Sequence, residues 1–143
     1  MRLLQIVIDT NVLIAALRSK RGASFLLLSL LGASRQFEIN LSVPLVLEYE
    51  DVAMRPSLVT GFSTQDISDI LDYLCLVANR HEIFFLWRPF LVDSKDDMVL
   101  ELAVEAQCDY IVTFNKRHFA GIERFGLQAV TPQEFLRQIG ELS

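Results

Sequence analysis

Residues 3–17, LLQIVIDTNVLIAAL, decide the fold. The apolar run from Leu3 to Ile8, broken only by Gln5, is short and rich in branched side chains, the pattern of a strand buried on both faces. Asp9 ends the run, and after Thr10 and Asn11 the residues Val12 to Leu17 suit a helix packed on a sheet. A carboxylate therefore stands where a central strand hands over to a helix. In open α/β sheets, ligands bind in the crevice at the carboxyl ends of the strands. Asp is also a favoured helix N-cap, and for Asp9 taken alone capping is the commoner role.

Outward from this stretch, strands and helices alternate. A polar, basic turn, RSKRG (18–22), leads to residues 23–31, ASFLLLSLL, a helix apolar all round. Such a helix is either buried on both sides or part of a subunit interface. Residues 37–41 (FEINL) read as a second strand, and Ser42 caps a helix over 43–54 with Pro44 in its first turn. That helix carries Glu48. After Ser63 comes a long amphipathic helix with Ile67, Ile70, Leu71, Leu74 and Val77 inside. Residues 82–87 (EIFFLW) are expected as the third strand. DSKDD (93–97) introduces a helix over 98–107, with Asp96 and Asp97 in its first turn. DYIVTF (109–114) is the fourth strand, residues 127–130 a short fifth, and T-P-Q-E (131–134) a capping box that opens the last helix. The alternation predicts a three-layer α/β/α domain with a central parallel sheet of about five strands, a single domain over residues 1–143.

The bulk composition agrees. With 52% hydrophobic and 22% charged residues the chain can bury a core without disulfides or a structural metal. Thirteen basic against eighteen acidic side chains, net −5, exclude a broad nucleic-acid-coating surface but leave room for a local basic rim. Cys75 and Cys108 are far apart in apolar contexts, as small buried residues of a reducing cytoplasm would be. No C-x-x-C pair or Cys/His cluster suggests zinc, and no run reaches the roughly 18 apolar residues of a membrane span. A soluble, cytoplasmic protein is expected.

Three acidic sites fall at equivalent places: Asp9 after the first strand, Glu48 after the second, and Asp96 with Asp97 after the third. Asn115 follows the fourth. If the first and fourth strands are central neighbours, these residues share one rim. Carboxylates converging there without Lys or Arg among them would repel by roughly 3 kcal/mol per close pair. A hard divalent ion such as Mg²⁺ or Mn²⁺ relieves that repulsion and suits oxygen-only ligands. Such ions bind a scissile phosphate and activate water, so no nucleophilic Ser or Cys is needed for phosphodiester hydrolysis. Thr10, Asn11 and Thr113 are placed to hold the acids or to contact phosphate by hydrogen bonds. Lys116, Arg117 and His118, next to the site, and Arg18, Lys20 and Arg21, after the first helix, are either phosphate contacts or solvated surface charge. Phe114 and Trp87 are either base-stacking platforms or, more commonly, core.

The segments IVIDTNVLIAAL, SVPLVLEYEDVAMRP, DSKDDMVLELA and DYIVTFNKRHF resemble, in order and spacing, the four signature segments of PIN-domain ribonucleases, nearest to bacterial toxin components of toxin–antitoxin pairs. The resemblance covers essentially the whole chain, including TPQEFL. It implies an endoribonuclease dependent on Mg²⁺ or Mn²⁺ in which Asp9, Glu48 and Asp96 are the catalytic, metal-binding acids. Asp97 stands at a position that can assist the metal. Asn115 stands where the family frequently has Asp, which removes one negative charge and leaves a second ion open. The resemblance also implies an antitoxin protein laid over the acidic groove, and a homodimer formed through apolar helices, either the 23–31 helix or the one after Ser63. Two other readings compete. A haloacid-dehalogenase-like phosphatase needs D-x-D, but Asn11 occupies the second position. A catalytically weak PIN-fold RNA-binding or scaffold protein is favoured by Asn115 and opposed by the three retained acids.

Overall fold

The computed structural model describes residues 2–83, 90, 91 and 93–143. Five strands, β1 (Leu4–Ile8), β2 (Phe37–Ser42), β3 (Asn79–His81), β4 (Tyr110–Val112) and β5 (Gln128–Val130), form one parallel sheet in the order β3-β2-β1-β4-β5. Six helices accompany them: α1 (Thr10–Arg18), α2 (Ala23–Leu30), α3 (Val43–Ala53), α4 (Thr64–Val77), α5 (Ser94–Glu105) and α6 (Pro132–Gln138). Two short 3-10 helices, Lys116–Phe119 and Ile122–Phe125, lie between β4 and β5. The chain steps outward from β1 through β2 to β3, then returns to the other side of β1 for β4 and β5. Right-handed crossovers turn that reversal into a change of face. Accordingly α1, α2, α3, α4 and α6 pack on one another, while α5 lies against β1, β2 and β4. This is the three-layer α/β/α arrangement expected.

The core is aliphatic and centred on β1, where Ile6 and Val7 are fully buried along with Leu27, Leu45, Leu100, Leu102 and Ile111. Phe135 of α6 closes one end, with its ring edge-on to Phe37 at 5.2 Å. In α2, Leu27 and Leu31 are buried, and Phe25, Leu26, Leu28 and Leu30 are partly exposed. The apolar side chains standing furthest into solvent belong instead to α3 and α4: Val43 at 70%, Leu47 at 58% and Leu76 at 80% exposure.

The third strand departs from expectation. Its residues are Asn79–His81, before the apolar stretch 82–87, of which 84–87 lie outside the described residues and Glu82 and Ile83 are not in a strand. What fixes this polar edge strand is side-chain hydrogen bonding across the sheet. Asn79 Nδ2 donates to Gln5 Oε1 and Glu38 Oε1, both at 3.1 Å, and His81 Nε2 lies 2.8 Å from Asn40 Oδ1. Asn40, only 1% exposed, donates through Nδ2 to Gln5 Oε1 (3.0 Å) and to the Ile6 carbonyl (3.2 Å). Its replacement strips several buried partners at once. Asn40→Ala is expected to destabilise the fold by about 2 kcal/mol, read as a lower urea midpoint with unchanged m-value.

Candidate active site

The switch point of the sheet lies between β1 and β4, and its crevice opens at their carboxyl ends. Asp9 stands there. Its backbone N–H donates to the Val112 carbonyl (2.9 Å), continuing the β1–β4 ladder one residue past Ile8. One carboxylate oxygen, Oδ1, accepts the Thr10 N–H at 2.9 Å and caps α1, while Oδ2 accepts the Thr113 hydroxyl at 2.8 Å. Asp9 thus caps α1 and braces the end of β4 at once, each through its own oxygen. Burial pushes its carboxyl above the usual range, the bonds from Thr113 and Thr10 and the nearby His118 oppose this, and Glu48 adds to it.

Thr113 and Asn11 brace this junction, as the sequence suggested. The Thr113 hydroxyl oxygen also accepts the Asn115 N–H (3.0 Å) and lies 3.5 Å from Asn11 Nδ2, and Asn11 Oδ1 accepts the Phe114 N–H (3.4 Å). Glu48 reaches the same crevice from α3. Its neighbour Tyr49, buried, donates a short hydrogen bond to the Ile8 carbonyl and so ties α3 to the residue before Asp9. Nothing in the sequence periodicity marks Tyr49 as more than core.

Helix α5 begins at Ser94, four residues before the start expected from its apolar pattern, with Asp93 as N-cap accepting the Lys95 N–H at 2.9 Å. Asp96 then faces the crevice. Burial pushes its carboxyl up to about 6, helped by Asp9, Asp93 and Asp97 and resisted by His118. Asp97 is one residue further round the helix and points elsewhere. At 1% exposure, its Oδ1 accepts the N–H groups of Leu91 (2.9 Å) and Phe90 (3.4 Å), so it pins the segment before α5 rather than facing the acids.

Asp9, Glu48, Asp96 and Asn115 line one cleft of about 190 Å³ together with Thr10, Asn11 and Asp93. Contrary to the expectation of an acid centre without Lys or Arg, Lys95 lines it too, and so does His118, which the sequence places next to the site. Lys95 Nζ lies 3.9 Å from Glu48 Oε1, and His118 Nδ1 lies 3.4 Å from Asp96 Oδ2. The early start of α5 places Lys95 in its first turn, a consequence that apolar periodicity does not reveal. Among the described residues no three Asp, Glu, His or Cys side chains are grouped closely enough to hold an ion directly. The oxygen-rich donor set and the raised carboxyls of Asp9 and Asp96 fit a hard cation whose shell is completed by water.

The basic residues divide. Lys116 is engaged by Glu134 of α6 at 3.0 and 3.1 Å. Arg117 and Arg18 line cavities beside the cleft, and Lys20 and Arg21 are exposed in the turn after α1. Phe114 is 49% exposed rather than core, and Trp87 lies outside the described residues.

A family profile described as PIN domain matches residues 5–117, from β1 past β4, and so spans all of these acids. The chain belongs to the PIN-domain family. The fold of this PIN domain is similar to that of a chain in the crystal structure of VapBC2 from Rickettsia felis bound to a DNA fragment from their promoter. That match has a TM-score of 0.61 at 14% identity and covers 88% of this chain and 98% of the other. No curated protein sequence matches this PIN domain. Among its described residues no helix is long and apolar enough to cross a membrane.

The raised carboxyl of Asp96 has a pH signature. Between about pH 4 and pH 6 the folded protein holds a proton that the unfolded chain releases, so stability from this group falls as pH rises through that window and stays lost above it. Without divalent ions, Asp96→Asn is expected to raise the melting temperature by about 2–4 °C at pH 8 and to leave it unchanged at pH 4, as followed by circular dichroism.

Proposed function

We propose that this PIN domain is a metal-dependent endoribonuclease, the toxin of a toxin–antitoxin pair. The observation that carries the proposal is the convergence of Asp9, Glu48 and Asp96, from three separate elements, on one cleft at the switch point of the sheet. Asp9, Glu48 and Asp96 would hold Mg²⁺ or Mn²⁺, with Asn115 reaching a water of its shell and Asp97 acting only from behind, through the α5 start. When bound, the ion offsets charge on the scissile phosphate and lowers the pKa of the attacking water. The chain itself supplies orientation and charge. Thr113 and Thr10 fix both oxygens of Asp9. Lys95 presents positive charge at the mouth, where a phosphate has to pass the acids, and His118 sets an imidazole beside Asp96.

Support for the toxin assignment comes from the family and from the likeness of the fold to a chain of the VapBC2 complex. An antitoxin segment is the partner this implies, in a cytoplasmic setting. The same reading includes a homodimer, for which the exposed Leu47 and Leu76 make α3 and α4 a better face than the more buried α2. Leu76→Glu is expected to convert a dimer to a 16.3 kDa monomer in light scattering; a wild-type monomer would remove the dimer.

The second reading, a catalytically weak RNA-binding or scaffold protein, is favoured by Asn115 and by the cations already among the acids. Cleavage of a labelled single-stranded RNA separates the two. With Mn²⁺ or Mg²⁺ the wild type is expected to cut, EDTA to abolish cutting, and Asp9→Asn to lose at least about 100-fold. Thr113→Val is expected to lose about 10-fold, through poorer positioning of Asp9. Metal-independent activity, or equal activity in Asp9→Asn, would sink the nuclease reading.

A further inference from the structure

Helix α3 brings Glu48 to the acid cleft, yet little of the helix is seated in the core. Its buried residues are Leu45, Tyr49 and Ala53, a single stripe four residues apart. Beside that stripe, Val43 and Leu47 stand 70% and 58% in solvent. Glu48 itself borders open space on two sides. One is the cleft, and the other is a cavity of about 360 Å³ between α1 and α3, also bordered by Thr10 and Asn11. Packing alone leaves the Glu48 carboxylate a range of positions. The hydroxyl of Tyr49, bonded to the Ile8 carbonyl, narrows that range.

This carbonyl lies where the sheet parts. Strand β1 pairs with β4 as far as Ile8, but with β2 only as far as Ile6. Successive residues of a strand turn their backbone groups to opposite sides. Asp9 gives its N–H to Val112 of β4, so the Ile8 carbonyl looks the other way, toward β2 and past the last residue paired there. Tyr49 takes the place of the missing strand. The residue is 2% exposed, and burial, followed by the charge of Asp9, pushes its phenol above the usual range, which keeps it a donor. The peptide it grips is the one that carries Asp9, whose two carboxylate oxygens are fixed by Thr10 and Thr113. Glu48, Tyr49, the Ile8–Asp9 peptide and Asp9 form one continuous link between two acids that belong to different elements.

We propose that Tyr49 is a positioning residue for the ion, holding Glu48 at a set distance from Asp9 and thereby selecting a small cation of strict geometry. The inference rests on the reading of the cleft as a metal site and adds what sets its selectivity. Mg²⁺ requires near-octahedral oxygens at about 2.0–2.1 Å, whereas Ca²⁺ accepts irregular shells at about 2.3–2.6 Å. A cleft whose walls drift serves the second ion better than the first. Locking α3 to the end of β1 removes that drift before an ion arrives. Asp96 is placed by other means, because α5 lies against β1, β2 and β4 and its approach is held by Asp97.

The test is calorimetric titration of the wild type, Tyr49→Phe, Asn40→Ala and Asp9→Asn with Mg²⁺ and with Ca²⁺. Tyr49→Phe keeps the ring and the buried stripe and removes only the donor. Asn40→Ala is the structural control, since it removes a bond to the Ile6 carbonyl, on the same side of the same strand but outside the cleft. Tyr49→Phe is expected to lose about 10-fold in Mg²⁺ affinity and less than about 3-fold in Ca²⁺ affinity, with Asn40→Ala at the wild-type values for both. Full Mg²⁺ affinity in Tyr49→Phe, equal losses for the two ions, or the same Mg²⁺ loss in Asn40→Ala would overturn the inference and leave the metal site standing. A wild type that binds neither ion, or Asp9→Asn that binds as well as the wild type, would remove the metal reading and the inference with it. Amide hydrogen exchange of the wild type is a second check that needs no variant. Protection over residues 46–50 is expected to be the same with and without Mg²⁺, because Tyr49 sets this turn in advance. Protection gained only with Mg²⁺ would mean that the ion, and not Tyr49, places Glu48.

Discussion

The carboxylate of Asp9, divided between the Thr10 N–H and the Thr113 hydroxyl, is the constraint on which the rest of the site depends. One oxygen starts α1 and the other locks the end of β1 to the end of β4. These two strands are neighbours only because the chain leaves β1 in one direction and returns on its other side. The hydrogen bonds also oppose the burial that would otherwise neutralise the acid. A carboxylate that is kept oriented, partly desolvated and close to other acids is prepared for a cation in a way that a solvated surface aspartate is not.

Around that anchor the acids are held by separate means. Glu48 rides on α3, which Tyr49 fastens to the Ile8 carbonyl, and Asp96 rides on the first turn of α5, whose approach is pinned by Asp97. The consequence is a carboxyl on Asp96 raised to about 6, first by burial and then by the charges of Asp9, Asp93 and Asp97. His118 opposes part of that shift, and Lys95 stands 3.9 Å from Glu48 Oε1. Stability is given up here so that negative charge can be concentrated, which is how perturbed acids come to mark functional clefts.

Much of this was legible in the chain. Gln5 apart, β1 is a branched apolar run, and Ser42, Ser63 and Thr131 announce their helices as caps. The acids Asp9, Glu48 and Asp96 stand after successive strands and were readable as a set. What was not legible depended on partners distant in sequence. Strand β3 is polar, and it is a strand because Asn79 and His81 find Gln5, Glu38 and Asn40 across the sheet, which apolar periodicity cannot register. Lys95 entered the cleft because α5 starts early on its Asp93 cap.

The sequence by itself determined the alternation of strands and helices and the parallel sheet, because these follow from local propensity, capping and the burial pattern of each segment; Asp9, Glu48 and Asp96 were singled out by the likeness of their segments to the PIN domain. Only the tertiary structure decided what the neighbouring side chains of each segment touch. Asp96 and Asp97 are adjacent and chemically identical, yet a rotation of about 100° along the helix sends one to the acids and the other to the backbone of Leu91. That choice rests on how α5 lies against β1, β2 and β4. It is a long-range packing outcome that the apolar period of the segment does not encode.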